Sequence, residues 1–407
     1  MNKSYKILLI SLLAVLAFFN CAQNLNLYAD VSDEKISFRD SISVIEFSVV
    51  GDLMCHSVQY KYAKTDSGYD FSDNYKFIKP YLNNADFTIG NLETTLAGKG
   101  KGYSGYPLFN TPDEYVNALK DTGFDLLITA NNHSLDKWEK GLIRTIDKIE
   151  EVGLNKTGTF RSQSERDSLV IYKKNGISFT VFAYSYGTNG IPVPKGKDYL
   201  INLIDTTLIS TDIQKAKEKG VDLVIVYYHF GEEYSLEPSN FQENIVRKTI
   251  EYGADIILGS HPHVPQPVEF FKTKNAKLDS GFVAYSLGNF ISNQRWRYSD
   301  GGPILNFSII KDNARDTIYL NGINVIPTWV FKGKIGSYSQ YIILPSDSLI
   351  NQQQYPYFTD ADRKSFVQSY RDILEIMSKR TDKIKFHSPE KDLLIKIKKL
   401  TILPTEY

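Results

Sequence analysis

Short apolar runs, rich in β-branched and aromatic residues, recur along the chain from residue 43, and each ends in a turn that carries Asp, Glu, Asn or His. Such runs predict buried strands. Segments with helical periodicity lie between them, such as Asn240–Tyr252, which ends at Gly253. Helix alternating with buried strand predicts an α/β layered domain. The six runs are Val44–Val50, Ala85–Ile89, Phe124–Ala130, Val221–Tyr228, Ala254–Leu258 and Phe282–Leu287.

The polar turns are expected to share one edge of the domain. In α/β sheets, ligands bind outside the carboxyl ends of the strands, and every one of these turns falls on that side. Five of the six histidines lie in the turns, and only His387 lies elsewhere. Surface or core histidines have no reason to prefer strand ends, so the distribution indicates a common site. The candidate metal ligands are Asp52, His56, Glu93, Asn132, His229, His261 and His263.

The segment Gly259–Val264, GSHPHV, places two of these histidines two residues apart. In extended backbone, residues i and i+2 point to the same side, and Pro262 helps to hold that shape because its φ is fixed. We therefore expect an extended segment from which the imidazoles of His261 and His263 converge on one centre. For this pair by itself, the alternative is a loop with two hydrogen-bonded structural histidines.

The candidate ligands form a mixed set of carboxylates, an amide and imidazoles. Nitrogen and oxygen together suit Mn, Fe or Zn better than the all-oxygen sites of Ca or Mg. The set exceeds what one tetrahedral ion takes, so it predicts two divalent ions bridged by a carboxylate, with metal-activated water as the nucleophile. The alternative for Asp52, Glu93 and Asn132 is a helix N-cap role at strand-to-helix turns, which Asp and Asn often fill.

Charge and cysteine content exclude several classes of protein. Lys and Arg total 47 and Asp and Glu total 47, so no global basic field indicates nucleic acid as a partner. Two cysteines, Cys21 and Cys55, are too few for a disulfide framework.

Residues 1–22 predict an export signal. Lys3 and Lys6 precede an apolar run, Ile7–Phe19, that is too short to span a bilayer, which needs about 20 residues. Cys21 at its end is a candidate lipidation site, and residues 23–42 would form a linker. The sequence therefore predicts an exported protein of the cell envelope, either periplasmic or anchored as a lipoprotein.

Two further features concern the second half of the chain. Strand-like stretches flank Asn321 and Gly322, a dipeptide that predicts a β-hairpin turn. After Pro345 the pattern becomes helical, with Phe366, Tyr370 and Ile373 on one face. We divide the chain into a main domain at residues 43–345 and a helical C-terminal extension at residues 346–407.

The polar turns belong to motifs that resemble a known family. In chain order they are GDLM followed by His56, GNLE, YPLFNTP, NNHSLD, HFGEEY, GSHPHVPQP and SLGNF. In this order and spacing, from Val44 to Phe331, they resemble the CapA proteins associated with poly-γ-glutamate capsule synthesis, whose domain is related to calcineurin-like metallophosphoesterases. The resemblance implies a metallophosphatase-like four-layer α/β/β/α sandwich with the site at the strand ends.

The resemblance also implies roles for individual residues. Asp52 matches a ligand of the first metal, Glu93 matches the bridging position, and His263 returns to the first metal. His133 matches a histidine thought to protonate the leaving group, and Asp136 would orient it. The residues that match ligands of the second metal are Asn132, His229 and His261.

The sequence departs from the phosphoesterase pattern at three places. His56 lies four residues after Asp52, where phosphoesterases place a histidine only two residues after the aspartate. Glu replaces the bridging Asp at residue 93. The arginine that usually follows the bridging position is missing, and Thr94–Leu96 stands there. Without that arginine, an amide or a peptide-like polymer becomes as plausible an electrophile as a phosphoester.

Three functions follow from this reading. The first is a metal-dependent hydrolase or transferase that acts on an anionic envelope polymer, with poly-γ-glutamate suggested by the resemblance. The second is a binding or assembly protein of a capsule-synthesis membrane complex, without turnover. The third is a general metallophosphodiesterase. The pair His133 and Asp136 favours turnover, since a scaffold has no need of a proton donor, and the missing arginine disfavours the third function.

Overall fold

The computed structural model describes residues 41–347 and 355–387. The predicted export signal with Cys21, and the predicted linker up to residue 40, lie outside the described residues. The end of the predicted C-terminal extension, from residue 388, also lies outside them. A division of the chain by its contacts falls between Ile42 and Ser43, and the described residues from Ser43 onward belong to the second unit.

Two β-sheets form the centre of the second unit. The first has the strand order β14-β13-β12-β1-β2-β3-β4, with β11 beside β1 and β15 beside β13, and the second has the order β5-β6-β7-β8-β10-β9. The strands of the first sheet are β1 (Ile42–Leu53), β2 (Phe87–Leu92), β3 (Leu126–Ile128), β4 (Asn155–Thr157), β11 (Asn289–Ile291), β12 (Pro303–Asp312), β13 (Thr317–Ile335), β14 (Tyr338–Pro345) and β15 (Ile384–Phe386). Those of the second are β5 (Tyr172–Lys174), β6 (Ile177–Ser185), β7 (Leu223–His229), β8 (Ile256–Ser260), β9 (Val268–Lys272) and β10 (Ser280–Ala284).

The two sheets pack face to face. Buried side chains of β1, such as Phe47, share one apolar cluster with Phe179 of β6 and Ile225 of β7. The rings of Phe47 and Phe179 meet edge to face at 5.0 Å between centroids. Because side chains alternate along a strand, the neighbours of Ile225 point to the opposite face of the second sheet.

Helices cover the outer face of each sheet. On the first sheet, Leu119 and Ile149 pack with Leu127 of β3. On the second, Ile209 and Ile245 pack with Val224 and Val226 of β7. This gives the expected four layers of the α/β/β/α order. The helices are α1 (Ser57–Tyr62), α2 (Ser72–Tyr75), α3 (Lys79–Leu82), α4 (Glu114–Thr122), α5 (Trp138–Glu151), α6 (Gln163–Asp167), α7 (Thr206–Glu218), α8 (Asn240–Tyr252) and α9 (Asp360–Met377).

Helix α8 has the bounds that the sequence predicts. Ser239 accepts a hydrogen bond from the backbone of Gln242, whose side chain bonds back to the backbone of Ser239. Gly253 ends the helix with φ +106°, a left-handed conformation that glycine adopts without steric penalty. Among the described residues, no helix combines the length and the apolar character that crossing a bilayer requires.

The predicted hairpin at Asn321 and Gly322 is wrong. Strand β13 runs without interruption from Thr317 to Ile335, and its register with β12 shifts between Phe307 and Ile309, opposite this dipeptide. Gly322 has φ +91°, so the positive φ that was expected in a turn occurs in a β-bulge. The Asn-Gly signal reports a left-handed glycine, which turns and bulges both use.

The residues after Pro345 join the main body of the protein. Phe366 of α9 packs with Trp329 of β13 in one apolar cluster, and Ile373 and Met377 reach the core between the sheets. After α9, strand β15 pairs in parallel with β13. The described part of the extension therefore contains a strand as well as a helix, and it acts as a packing element.

The candidate metal centre

Glu93 lies at the centre of the site, directly after β2. Its side chain is fully buried, and among the described residues neither carboxylate oxygen has a hydrogen-bond partner. Burial, and then the charge of Asp52, raise the pKa of Glu93 well above its ordinary value. A buried carboxylate without donors is destabilising unless a cation or a proton meets it. The arrangement therefore fits a cation that comes from outside the chain.

Asp52 lies beside Glu93, near the end of β1. Its Oδ2 is 3.0 Å from Nδ1 of His263, and its Oδ1 accepts a hydrogen bond of 2.8 Å from Asn91. Burial raises the pKa of Asp52, but His263 and Asn91 more than offset this, and the net pKa is lowered. Gly51 allows β1 to lie close to the backbone at Gly288, because a methyl group at residue 51 would lie 1.9 Å from the carbonyl oxygen of Gly288.

His229 ends β7 and brings the second sheet to the site. Its Nε2 is 3.0 Å from Oδ1 of Asn132 and 3.5 Å from Oε1 of Glu93. On the other side of the ring, Nδ1 lies 3.2 Å from Asn91 Nδ2 and 3.2 Å from Ser260 Oγ. Burial, and then His261, lower the pKa of His229 well below its ordinary value. The imidazole is therefore neutral, which is the form that binds metal ions.

The expected extended backbone at His261 and His263 is wrong. His261 has φ +103° and His263 has φ +60°, conformations that side-chain-bearing residues rarely adopt. The centroids of the two imidazoles nevertheless lie 6.0 Å apart, and no described residue forms a hydrogen bond with the buried Nδ1 of His261. Strained backbone persists where surrounding structure imposes it, often at functional sites. The convergence comes from a tight turn after β8.

Five of the seven predicted ligands form two overlapping groups. Glu93, His261 and His263 make one, and Asp52, Glu93 and His229 make the other, with the ligand atoms of each group within 4.8 Å of one another. Glu93 is common to both. Burial, and then His263, lower the pKa of His261 to about 3, so this imidazole is also neutral. These residues fit two neighbouring divalent ions with Glu93 between them.

His56 lies beside the site but outside both ligand groups. Its Nδ1 is 3.2 Å from Gln59 Oε1 and accepts a hydrogen bond of 3.2 Å from the backbone of Asn293. Its ring meets Phe109 edge to face at 5.1 Å. Burial, and also the charges of His263 and His133, lower the pKa of His56 to about 4, so His56 lies near the predicted ligands although it is a member of neither group.

His133 and Asp136 form a buried pair next to the ligands. Nδ1 of His133 is 2.8 Å from Oδ2 of Asp136, and the same oxygen accepts a 2.7 Å hydrogen bond from the backbone of Phe109. Nε2 of His133 lies 3.5 Å from Nδ2 of Asn189. Asp136 therefore holds the ring by one nitrogen, while the other faces the loop that contacts Asn132.

Several residues of the site were missed by the sequence reasoning. Asn91 donates to Asp52 and Ser260 and lies against His229, so it orients ligands from both sheets. A signal existed, since Asn91 stands inside the GNLE motif. Tyr186 packs on His261 at 4.4 Å, and Asn189 accepts a 3.2 Å hydrogen bond from Asn132. Both lie in a loop whose composition gave no such signal.

Aromatic side chains border the mouth of the site. Tyr234, 40% exposed, lies 6.0 Å from the ring of His263 and 5.1 Å from that of Trp296, which is 50% exposed. Gln294 donates a 3.1 Å hydrogen bond to the hydroxyl of Tyr234. Of the other acidic and amide candidates in the polar turns, Glu232 and Glu233 are exposed, whereas Asn289 is buried and holds the backbone of Ser299. The segment from residue 293 to residue 296 thus lines one side of the opening.

Residues 46–294 match the family model described as bacterial capsule synthesis protein PGA_cap. This stretch covers more than half of the chain and includes every candidate ligand. The chain belongs to the PGA_cap family.

Curated members of this family are similar to the chain over about two thirds of its length. The capsule biosynthesis protein CapA of Bacillus anthracis is 30% identical over 289 residues, which are 69% of this chain and 67% of that protein. The PGA biosynthesis protein CapA of Bacillus subtilis strain 168 is 28% identical over 280 residues, 67% of this chain and 70% of that protein. The resemblance drawn from the motifs is therefore confirmed.

Solved structures that are similar to this PGA_cap protein share little sequence with it. One is the calcineurin-like phosphoesterase YfkN from Bacillus subtilis, at 14% identity with a TM-score of 0.41, covering 82% of this chain and 98% of that one. Assignment to the PGA_cap family rests on the sequence match.

Proposed function

We propose that this PGA_cap protein is an exported, metal-dependent hydrolase or transferase that acts on an anionic envelope polymer, with two divalent ions of Mn, Fe or Zn at its centre. Its family and the names of its relatives favour poly-γ-glutamate as that polymer. Export is supported by Lys3 and Lys6 ahead of the apolar run Ile7–Phe19.

The observation that carries the metal proposal is the pair of unsatisfied oxygens on Glu93. This carboxylate is buried beside a second one, Asp52, and the described residues place no Lys or Arg in a salt bridge with either. Neutral imidazoles from His229 and His261 complete the surroundings. Burying two carboxylates together is strongly unfavourable unless positive charge is supplied, and this donor set suits divalent transition metals.

When bound, the ions would polarise the electrophile and lower the pKa of a water molecule to near neutrality. His133 would donate a proton to the leaving group from Nε2. Asp136 holds Nδ1 at 2.8 Å, which fixes the tautomer and stabilises the imidazolium. The ring packs against Phe109 at 4.7 Å, which limits its rotation. The dyad has the geometry of an oriented general acid.

The proposal predicts turnover that depends on His133. Metal-loaded protein should cleave an amide or phosphodiester model substrate, and His133→Ala should lower the rate by about 10²–10⁴-fold because the leaving group loses its proton donor. Metal content, measured by elemental analysis, should stay at the wild-type value. His387→Ala is the matched control, since this histidine lies outside the site, and it should leave both measurements unchanged.

A second variant separates the metal from the proton donor. His261→Ala should lose metal as well as activity, because it removes an imidazole from one ligand group. If wild-type protein binds two ions and cleaves neither kind of substrate, the assembly role in a capsule-synthesis complex replaces catalysis. If elemental analysis finds no transition metal in the wild type after loading, the metal proposal itself fails.

A further inference from the structure

Two half-buried cations, Arg295 and Lys332, lie together beside the metal centre, and Asp300, the acidic group that acts most strongly on Arg295, forms no salt bridge with it. Among the described residues neither takes part in a salt bridge, although most buried or half-buried cations elsewhere in the protein do. Burial, and then the charge of Arg295, lower the pKa of Lys332. Burial also lowers the pKa of Arg295. Like charges held together in a partly buried place repel each other, and an anion would relieve that repulsion.

Asn293 fixes the position of Lys332. Its side-chain oxygen accepts a 2.9 Å hydrogen bond from Nζ of Lys332, and its backbone nitrogen donates to Nδ1 of His56 at 3.2 Å. His56 in turn shares the ring of Phe109 with His133, at 5.1 and 4.7 Å. Asn293 therefore connects Lys332 to His56, and His56 and Phe109 lie beside the proposed proton donor, His133.

Arg295 is fixed on the same side of the opening. Its guanidinium donates to the carbonyl oxygen of Val330 and lies 5.2 Å from the ring of Trp329. The nearest acidic group that affects it, Asp300, accepts a hydrogen bond from the indole of Trp329. The next residue in the chain, Trp296, borders the mouth of the site through Tyr234.

We propose that Lys332 and Arg295 form a subsite for an oxyanionic group of the substrate, either a carboxylate or a phosphate, next to the metal centre. This inference deepens the proposed function and rests on it. Both residues follow residue 294, where the match to the family model ends.

The chemistry of the two side chains suits this role. Arginine presents several N–H donors in a fixed fork, and lysine presents a compact charge on a flexible stem. Hydrogen bonds from such cations to carboxylate or phosphate are shorter and stronger than neutral ones. A substrate bound there by one acidic group would extend from the cation pair towards His133, and an acidic polymer could repeat the contact at successive units.

Binding measurements on a protein that cannot turn over test the subsite. Metal-loaded His133→Ala protein is titrated by calorimetry with inorganic phosphate, with a short γ-linked glutamate oligomer and with its neutral amide counterpart. Adding Lys332→Met should weaken binding of the acidic probe by about tenfold or more, because a charge-assisted hydrogen bond is lost. Lys332→Arg should restore most of the affinity, and the neutral oligomer should change less than about twofold.

Lys334→Met is the matched control, since Lys334 is an exposed lysine on the same strand and its removal changes the net charge equally. Equal losses of affinity for Lys332→Met and Lys334→Met would overturn the inference, because the loss would then follow from the change in net charge and not from a contact with Lys332. So would binding of neither acidic probe by the parent protein. Preference for phosphate or for the oligomer identifies the oxyanion. Acidic-probe binding through Lys332 without catalysis by wild type would retain the subsite and reject the proposed turnover.

Discussion

Two buried carboxylates, Asp212 and Glu93, are neutralised in opposite ways. Asp212 on α7 receives both nitrogens of Arg166 at 3.0 and 2.5 Å, and the hydroxyl of Tyr184 at 2.7 Å. Glu93 receives no hydrogen bond from any described residue and lies beside Asp52. Asp212, which stabilises the fold, is paired with a cation of the chain. Glu93, in the candidate site, forms no salt bridge with a Lys or Arg among the described residues.

The comparison also explains why the site is built from so many separate segments. Asp212 needs one partner, and a neighbouring helix provides it. Glu93 has no hydrogen-bond donor among the described residues. Its neighbours are a second carboxylate, the neutral imidazoles of His229 and His261, and His263, whose Nδ1 lies 3.9 Å from Oε2 of Glu93. Asn91 donates hydrogen bonds to Asp52 and Ser260, and it donates none to Glu93. These bonds hold residues of both sheets in place.

The largest expected effect comes from breaking the satisfied carboxylate. Arg166→Met should lower the free energy of unfolding by about 3–5 kcal/mol, because it leaves Asp212 buried with its charge unpaired. Urea unfolding followed by circular dichroism measures the change. Lys148→Met is the control, since its pair with Glu151 is exposed, and such pairs contribute about 0.2–1 kcal/mol.

A double variant tests whether the unpaired charge of Asp212 causes the loss of stability. Arg166→Met together with Asp212→Leu should recover most of the lost stability, because a buried ion pair replaced by apolar groups is often close to neutral. If the single variant unfolds within about 1 kcal/mol of wild type, Asp212 is not held by Arg166 in the way described.

A third buried carboxylate, Asp255, differs from both Asp212 and Glu93. Asp255, 1% exposed, accepts a 2.8 Å hydrogen bond from the backbone of Val224 with one oxygen, while the other has no partner among the described residues. Burial raises the pKa of Asp255 to about 7 from its ordinary value of 3.8. This group keeps its proton in the folded protein over a range where the unfolded chain has lost it.

The expected result is a slope of stability against pH. Since the folded protein binds the proton more tightly, this group's unfavourable contribution grows as pH rises from about 4 to about 7. Asp255→Asn should remove that slope, with nearly equal stability near pH 4 and a gain on the order of 4 kcal/mol at pH 8. Urea titrations at both pH values measure it. A variant that gains as much at pH 4 as at pH 8 would exclude ionisation as the cause.

The sequence was sufficient to predict the layers and most of the centre. Apolar runs with polar ends identified the strands, and the ends of parallel strands converge by topology, so Asp52, Glu93 and His229 could be placed together in advance. Local backbone was harder to predict. The turn at His261 and His263 has positive φ at both residues. The sequence pattern of a proline between two histidines predicts extended backbone and does not indicate these values.

Other features depended on contacts between distant parts of the chain. Tyr186 and Asn189 reach the site from a loop without helical or strand periodicity, and Lys332 reaches it from β13 through Asn293. Asn321 and Gly322 illustrate a different limit, because the same dipeptide serves a hairpin or a bulge according to the strand that lies opposite. These cases required the tertiary arrangement, which single-residue preferences do not contain.

The smallest expected effect is at Glu93, where the substitution should raise the free energy of unfolding, whereas Arg166→Met should lower it. In metal-free protein, Glu93→Gln should raise the free energy of unfolding by about 1–2 kcal/mol, because it removes a buried carboxyl group whose ionised form is unfavourable beside Asp52 and without donors. Adding divalent metal at about 100 times its dissociation constant should stabilise wild type by about 2.7 kcal/mol. The variant should gain much less, since one shared ligand is lost. Urea unfolding with chelator and with metal measures both values. Glu218→Gln, at the exposed end of α7, should change neither. Loss of stability in Glu93→Gln without metal, comparable to that of Arg166→Met, would mean that the chain already satisfies Glu93 and that its open position is structural.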